Sequence, residues 1–300
     1  MNFRKDRYRS LPGDWIAMIT GKPFIRSFSW LLALLLLQNC TKTGYEPTGA
    51  DRSFAVIGDV RQGFGTYSRL VQHIIRQEPL PEAAFCMGDI MLRPGNDVEW
   101  VGFNKKSEPL TDLMPLYLVR GNHEGNDPAS ELIFSEQTGL PVGRFYHCFA
   151  LGSSACIILD SNVKDEDNMI GPAQFQWLES TLDSLSSESE VRDIFIFLHH
   201  PVYSQGKYKG NKLKNADEVH NLFSSHPKIR VIFSGHDHIY NHHIREGVNY
   251  ITTCGGGEQL NHGYGGDYYH FVLVSFFNSE SRINIKTIGL FNETIEDFDL

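Results

Sequence analysis

The sequence predicts an α/β protein whose strands are buried on both faces. Two observations lead there. Six short runs, apolar at successive positions rather than alternate ones, recur between residues 54 and 235, and Gly, Asp or His follows closely after each. Longer stretches with apolar residues at helical spacing lie between them. A strand with one wet face alternates apolar and polar residues, whereas a strand covered on both sides does not.

The predicted strands, in order, are FAVIG (54–58), AAFCMG (83–88), PLYLV (115–119), CIILD (156–160), IFIFL (194–198) and VIFSG (231–235). The first predicted helix, TYSRLVQHIIRQ (66–77), gathers Leu70, Ile74 and Ile75 on one face with Val71 beside them. ASELIFSEQ (129–137) and ADEVHNLFSSH (216–226) are two more. PAQFQWLESTLDSL (172–185) opens on Pro172, whose missing N–H costs nothing in a first turn, and spaces Phe175, Leu178, Leu182 and Leu185 helically. Near the C-terminus the period changes to two. YHFVLVSF (269–276) and RINIKTIG (282–289) flank NSES, a hairpin signature. Residues 291–300 read as a solvated acidic end, and a single domain spans about 53–290.

Composition bounds the function. The chain has 300 residues, 41% of them hydrophobic, which is ample for a large core. Its net charge of −9 argues against a nucleic-acid-binding surface, which needs a basic surplus to neutralise phosphates. Residues 1–39 are basic, with six Lys or Arg against two Asp, so the body carries −13. Within them the apolar stretch from Phe28 to Leu37 is too short to span a bilayer and fits the core of an export signal. Met18 opens a signal of ordinary length, and the expectation is that residues 1–17 come from a misassigned start. Cys40 closes the stretch, and small polar residues follow. This resembles a bacterial lipoprotein signal, in which that cysteine is lipidated, although Asn39 stands where a small residue is usual. The expectation is an exported protein, anchored to a membrane of the cell envelope through Cys40, with residues 40–52 as a tether. Cys86, Cys148 and Cys156 lie in apolar runs and read as buried free thiols.

The polar residues at the strand ends carry the chemistry. Asp59 follows the first strand in GDV, and Asp89 follows the second in GDI. Asn122, His123 and Glu124 follow the third in RGNHE. His199 and His200 stand in HHP after IFIFL, and His236 and His238 in GHDH after VIFSG. Ligands of α/β sheets bind beyond the carboxyl ends of the strands. Carboxylates and imidazoles together suit manganese, iron or zinc, and a carboxylate can bridge two ions that clamp a phosphate.

The ordered set GD, GD, GNHE, HHP, GHDH resembles the calcineurin-like metallophosphoesterase family across about residues 53–290. GHDHIY, HHPVYS and PAQFQWLESTL resemble its purple acid phosphatase-like branch, although His242 stands where that branch commonly has Arg. The resemblance implies a four-layer αββα sandwich with two mixed β-sheets. It implies one or two divalent or trivalent metal ions (Mn, Fe or Zn) and a phosphate-ester substrate. Asp89 would bridge the ions. Asn122, His199 and His236 would hold the second, and Asp59 and His238 the first. His123 would be the general acid, with Glu124 behind it, and His200 would touch substrate or support a ligand.

Arg61 departs from the pattern. Most members carry a histidine there, in Asp-x-His, as a ligand of the first metal, and the purple branch substitutes a tyrosine whose place Leu92 takes here. Guanidinium has no lone pair to give a metal. Three outcomes are open. The first metal binds through fewer protein ligands while Arg61 grips phosphate; the guanidinium stands in for that metal; or the site is inactive. The leading expectation is a metal-dependent phosphoesterase that hydrolyses phosphomonoesters or phosphodiesters by metal-activated hydroxide attack. The alternative is a catalytically impaired surface lipoprotein that binds a partner through a relic metal site.

Overall fold

A computed structural model describes residues 49–166, 168–207 and 212–300. The export signal, Cys40, the tether up to residue 48 and part of the basic stretch KYKGNKLK (207–214) lie outside the described residues. The elements run β1 (Arg52–Ile57), α1 (Phe64–Ile74), β2 (Ala84–Cys86), α2 (Asp97–Thr111), β3 (Leu116–Leu118), α3 (Pro128–Thr138), β4 (His147–Leu151), β5 (Ser154–Ile158), α4 (Pro172–Ser187), β6 (Asp193–Phe197), α5 (Ala216–Ser224), β7 (Ile229–Ser234), β8 (Tyr240–Arg245), β9 (Val248–Thr253), β10 (His270–Phe277), β11 (Arg282–Gly289) and β12 (Thr294–Asp299).

Two six-stranded sheets form, in the orders β12-β11-β10-β1-β2-β3 and β4-β5-β6-β7-β9-β8. Both are mixed. β1, β2 and β3 are parallel, as are β5, β6, β7 and β9, and antiparallel strands complete each sheet. The doubly apolar runs explain the layering. In β1, Phe54 and Val56 enter the core between the sheets with Phe85, Phe195, Phe197 and Phe233. Ala55 and Ile57 point the other way, onto Leu70 and Ile74 of α1 and Phe103 of α2. On the second sheet, Ile194 and Ile196 pack against Leu178 and Leu182 of α4 and Val219 and Phe223 of α5. The architecture is the expected αββα sandwich. The Phe85 and Phe197 rings stack across the middle with centroids 3.9 Å apart, and Phe54 meets Phe195 edge-on at 5.1 Å.

The expected strands and helices form within a few residues of their predicted bounds, and the β10–β11 hairpin is present. Helix α2 was not foreseen. Its buried Trp100, Phe103 and Leu110 are interrupted by exposed Val98 and Val101 and by Pro109, which blurs the helical period. Asn96 caps it, Oδ1 accepting from Val98 N at 3.2 Å and Glu99 N at 3.3 Å. The β8–β9 hairpin turns through Glu246 and Gly247, both at positive φ (50° and 81°), as a tight two-residue turn requires. His242 and His243 are half-buried on β8. His242 stacks on Phe298 at 4.3 Å, and its Nδ1 lies 3.1 Å from Glu296 Oε1. The acidic end supplies both partners, because it forms edge strand β12 against β11.

Candidate metal centre

The tips of β1, β2, β3, β6, β7 and β9 meet at one edge of the sandwich. Gly235 N donates to His199 O at 3.0 Å, Asp59 N to Gly88 O at 3.2 Å, and Gly256 N to Gly58 O at 2.6 Å. Backbones this close exclude side chains. A Cβ on Gly88, itself at φ 92°, would lie 2.6 Å from Gly121 N. Asp59, Asp89, His236 and His238 all take left-handed φ, at 54°, 49°, 76° and 53°. Asp and His enter that region more readily than most residues, yet each such residue costs about 1–3 kcal/mol. Four strained residues at one place are a feature of functional sites.

Two clusters of ligand atoms result, each within 4.8 Å: His199, His200 and His236 in one, and Asp59, Asp89 and His238 in the other. Asn122 joins the first, its Oδ1 lying 3.0 Å from both His199 Nε2 and His236 Nδ1. Asp89 reaches toward both, with Oδ1 3.3 Å from His199 Nε2. The His199 ring is set by the backbone. Its Nδ1 lies 2.7 Å from Met87 O, a carbonyl that can only accept, so the proton sits on Nδ1. Nε2 faces two oxygen acceptors, and although burial opposes it, the Asp89 and Asp59 carboxylates raise the His199 imidazole to about 10. Acceptors crowded together favour a cation among them, which is a metal ion or, without one, the His199 imidazolium. The Asp59 carboxylate is fully buried beside them: Oδ2 accepts His236 N at 2.8 Å, and the Cys254 thiol hydrogen-bonds the carboxylate. The residues present fit one or two metal ions.

Electrostatics agree. Burial pushes the Asp59 carboxyl up to about 8, and the Asp89 charge adds to that, against the pull of His199. Asp89 is also desolvated, but the charge and hydrogen bond of His199 prevail and hold it well below the carboxylate range. Burial, helped by the His199 charge, draws His236 down to about 3; burial also draws His238 down to about 4. Both are therefore neutral imidazoles, the form that coordinates metal.

His200, left between a substrate contact and a supporting role, is buried among His199 and His236, with Nδ1 2.9 Å from Ser161 Oγ. Glu124 does not stand behind the His123 ring. Its carboxylate accepts four backbone N–H groups: Asp89 at 2.9 Å, Ile90 at 2.7 Å, Met91 at 3.2 Å and Gly121 at 2.7 Å. It holds the loops that carry Asp89 and Asn122. Arg61 donates to the His123 ring through Nη1 and forms an ion pair with Glu258 through Nη2. His123 N donates to Asp89 Oδ1 at 3.0 Å.

Glu258 escaped the sequence reading. It follows Gly255-Gly256-Gly257 after β9. That glycine run is a packing surface. A Cβ on Gly256 would lie 2.3 Å from Gly58 O, and one on Gly255 2.1 Å from His270 Nδ1; of the three, Gly257 alone has positive φ (150°). The signal was available, since Glu258 stands just beyond a strand tip as the other site residues do.

A sequence profile of the Calcineurin-like phosphoesterase family matches residues 52–240. The chain belongs to that family. Members of the family use divalent metals, and the two clusters lie among its matched residues. Among characterised relatives of the family, the chain is similar to Purple acid phosphatase 22 of Arabidopsis thaliana, at 22% identity over 213 residues, covering 67% of this chain and 48% of the relative. The chain thus spans about half the length of the curated relatives it matches. The fold is similar to that of a purple acid phosphatase from yellow lupin seeds (Lupinus luteus), with TM-score 0.68, 17% identity, and coverage of 83% of this chain and 53% of the other. A dimetal phosphatase from Danio rerio is also similar, with TM-score 0.62, 16% identity, and coverage of 83% and 98%.

Proposed function

We propose that this chain is a metal-dependent phosphoesterase acting on phosphomonoesters or phosphodiesters. The observation that carries the reading is the convergence of Asp59, Asp89, Asn122, His199, His236 and His238 at one buried edge of the sandwich. Asn122, His199, His236 and Asp89 would hold one ion, and Asp59, Asp89 and His238 another. Bound there, metal supplies Lewis-acid activation of the phosphoryl group and of water. The names of the similar proteins, purple acid and dimetal phosphatases, support phosphate-ester chemistry.

The chain's own contribution centres on Arg61 and His123. His123 Nδ1 lies 3.0 Å from Leu92 O, so the proton on Nδ1 points to that carbonyl and Nε2 accepts from Arg61. A substrate phosphate competes with His123 for the Arg61 N–H groups. Once released, Nε2 takes a proton from solvent water and would pass it to the leaving oxygen, while Arg61 offsets charge on the phosphoryl group.

The test is hydrolysis of nitrophenyl phosphate and bis-nitrophenyl phosphate by the purified chain supplied with Mn²⁺, Zn²⁺ or Fe²⁺. Metal-dependent turnover that Asn122→Ala lowers more than about 100-fold supports the reading. No turnover with any metal overturns it.

Anchoring at a bacterial envelope through lipidated Cys40 is part of the same proposal and is supported by the sequence pattern alone. Incorporation of labelled palmitate that Cys40→Ser abolishes is the expected result; label retained in the variant, or none in either protein, overturns it.

A further inference from the structure

Arg61 and Leu92 remove both residues by which this family usually completes its first metal site, and the structure holds a carboxylate beside the gap. We infer that Glu258 supplies the missing ligand to the first metal, with Arg61 holding its other oxygen. The inference rests on the metallophosphoesterase reading and names a ligand for the same site.

Three observations converge on Glu258. Its side chain is more than nine-tenths buried, and Oε2 has no hydrogen-bond partner among the described residues. A buried carboxylate oxygen without a donor is costly unless a cation meets it. That oxygen lies 3.8 Å from Nε2 of His238, a member of the Asp59, Asp89, His238 cluster. Ligand bonds of about 2.0–2.2 Å place two donors on one ion about 3–4 Å apart.

The ion pair has the form this role needs. A closed Arg–carboxylate pair engages both oxygens in parallel. Here Arg61 Nη2 takes Oε1, and Nη1 turns to His123, leaving Oε2 unclaimed. A ligating carboxylate is commonly fixed in this way by a donor on its second oxygen. The charges also match: Arg61 cancels the added carboxylate, so the site keeps the net charge it would have with one neutral histidine in place of the Arg61–Glu258 pair.

The backbone is built to deliver this residue. Gly256 N donates to Gly58 O at 2.6 Å and Glu258 N to Asp59 O at 2.9 Å. The segment after β9 therefore lies directly on the loop that carries Asp59 and Arg61. A Cβ on Gly257 would lie 2.5 Å from Gly63 O, so only glycine permits the approach.

The test counts ions. The full chain is loaded with Mn²⁺, and ions per chain are measured by mass spectrometry, with electron paramagnetic resonance to read coupling between them. Wild type is expected to hold two coupled ions. Glu258→Gln is expected to bind one of them at least about tenfold more weakly and to lose the coupled signal. Arg61→Gln/Glu258→Gln removes both charges, so the same loss there assigns the effect to ligation rather than to an exposed guanidinium. Two coupled ions at unchanged affinity in either variant overturn the inference. So does a wild type that holds one ion, which leaves a one-metal phosphoesterase standing. A wild type that binds no ion overturns this inference and the enzymatic reading together. If Glu258→Gln does not fold, Glu258→Asp keeps the charge and withdraws the oxygen; unchanged binding of both ions by it overturns the inference equally.

Discussion

The Glu124 carboxylate accepts the backbone N–H of Asp89 at 2.9 Å, across 35 residues of sequence. With Ile90, Met91 and Gly121 also donating to it, Glu124 is the template on which two ligand loops are folded. Glu124→Ala would strand four buried donors at about 1–3 kcal/mol each. A loss of at least about 4 kcal/mol in urea unfolding is expected, together with weakened metal binding. Full stability in the variant would show that water replaces the carboxylate.

Arg120 is the second support. It is buried directly before Gly121-Asn122, with Nη2 2.6 Å and Nε 3.2 Å from the two oxygens of Asp160, Nη1 2.9 Å from Glu131 Oε1, and Nη2 2.9 Å from Asn162 O. Arg120→Met leaves Asp160 buried and unpaired, at an expected loss of about 3–5 kcal/mol. Arg120→Met/Asp160→Leu removes both charges and should recover most of that loss. Equal unfolding free energies for the single and double variants would contradict the assignment.

His123 can be tested through the leaving group. A general acid matters most when the departing oxygen is strongly basic. His123→Ala should lower turnover of an alkyl phosphate by about 10²–10⁴-fold and that of nitrophenyl phosphate by much less. Equal losses on both substrates would assign His123 to phosphate binding alone.

His270 gives the pH dependence a sign. It is fully buried, with Nδ1 2.8 Å from Tyr268 O and Nε2 3.0 Å from Thr253 Oγ1, and burial draws it down to about 4 from an ordinary 6.5. Between those values the unfolded chain binds a proton that the native chain does not. Its contribution is therefore complete above pH 6.5 and is lost as pH falls toward 4. Between pH 7.5 and 5 the loss is about 2 kcal/mol. His270→Gln should flatten the fall in urea midpoint by that amount, and an unchanged slope would exclude His270 as its source.

The strands that carry the site were legible because each is a short apolar run ending in a ligand-type residue. Asp59, Asp89, Asn122, His199, His236 and His238 all converge at one edge as that pattern implied. Helix α2 was not legible, since exposed Val98 and Val101 and internal Pro109 blur its period. The role of the glycine run after β9 was not legible either, because glycine serves positive φ and close approach alike, and only the neighbouring backbone distinguishes them.

By itself the sequence determined the α/β class and the strand tips at which metal-ligating residue types gather, because these depend on residues adjacent in the chain. Tertiary structure alone decided which nitrogen of His199 faces the site, through Met87 O, and what Glu124 holds. It also decided that Arg61 is answered by Glu258, 197 residues away. Such pairs arise where two sheets lay their loops on one another, and no local pattern records which loops those are.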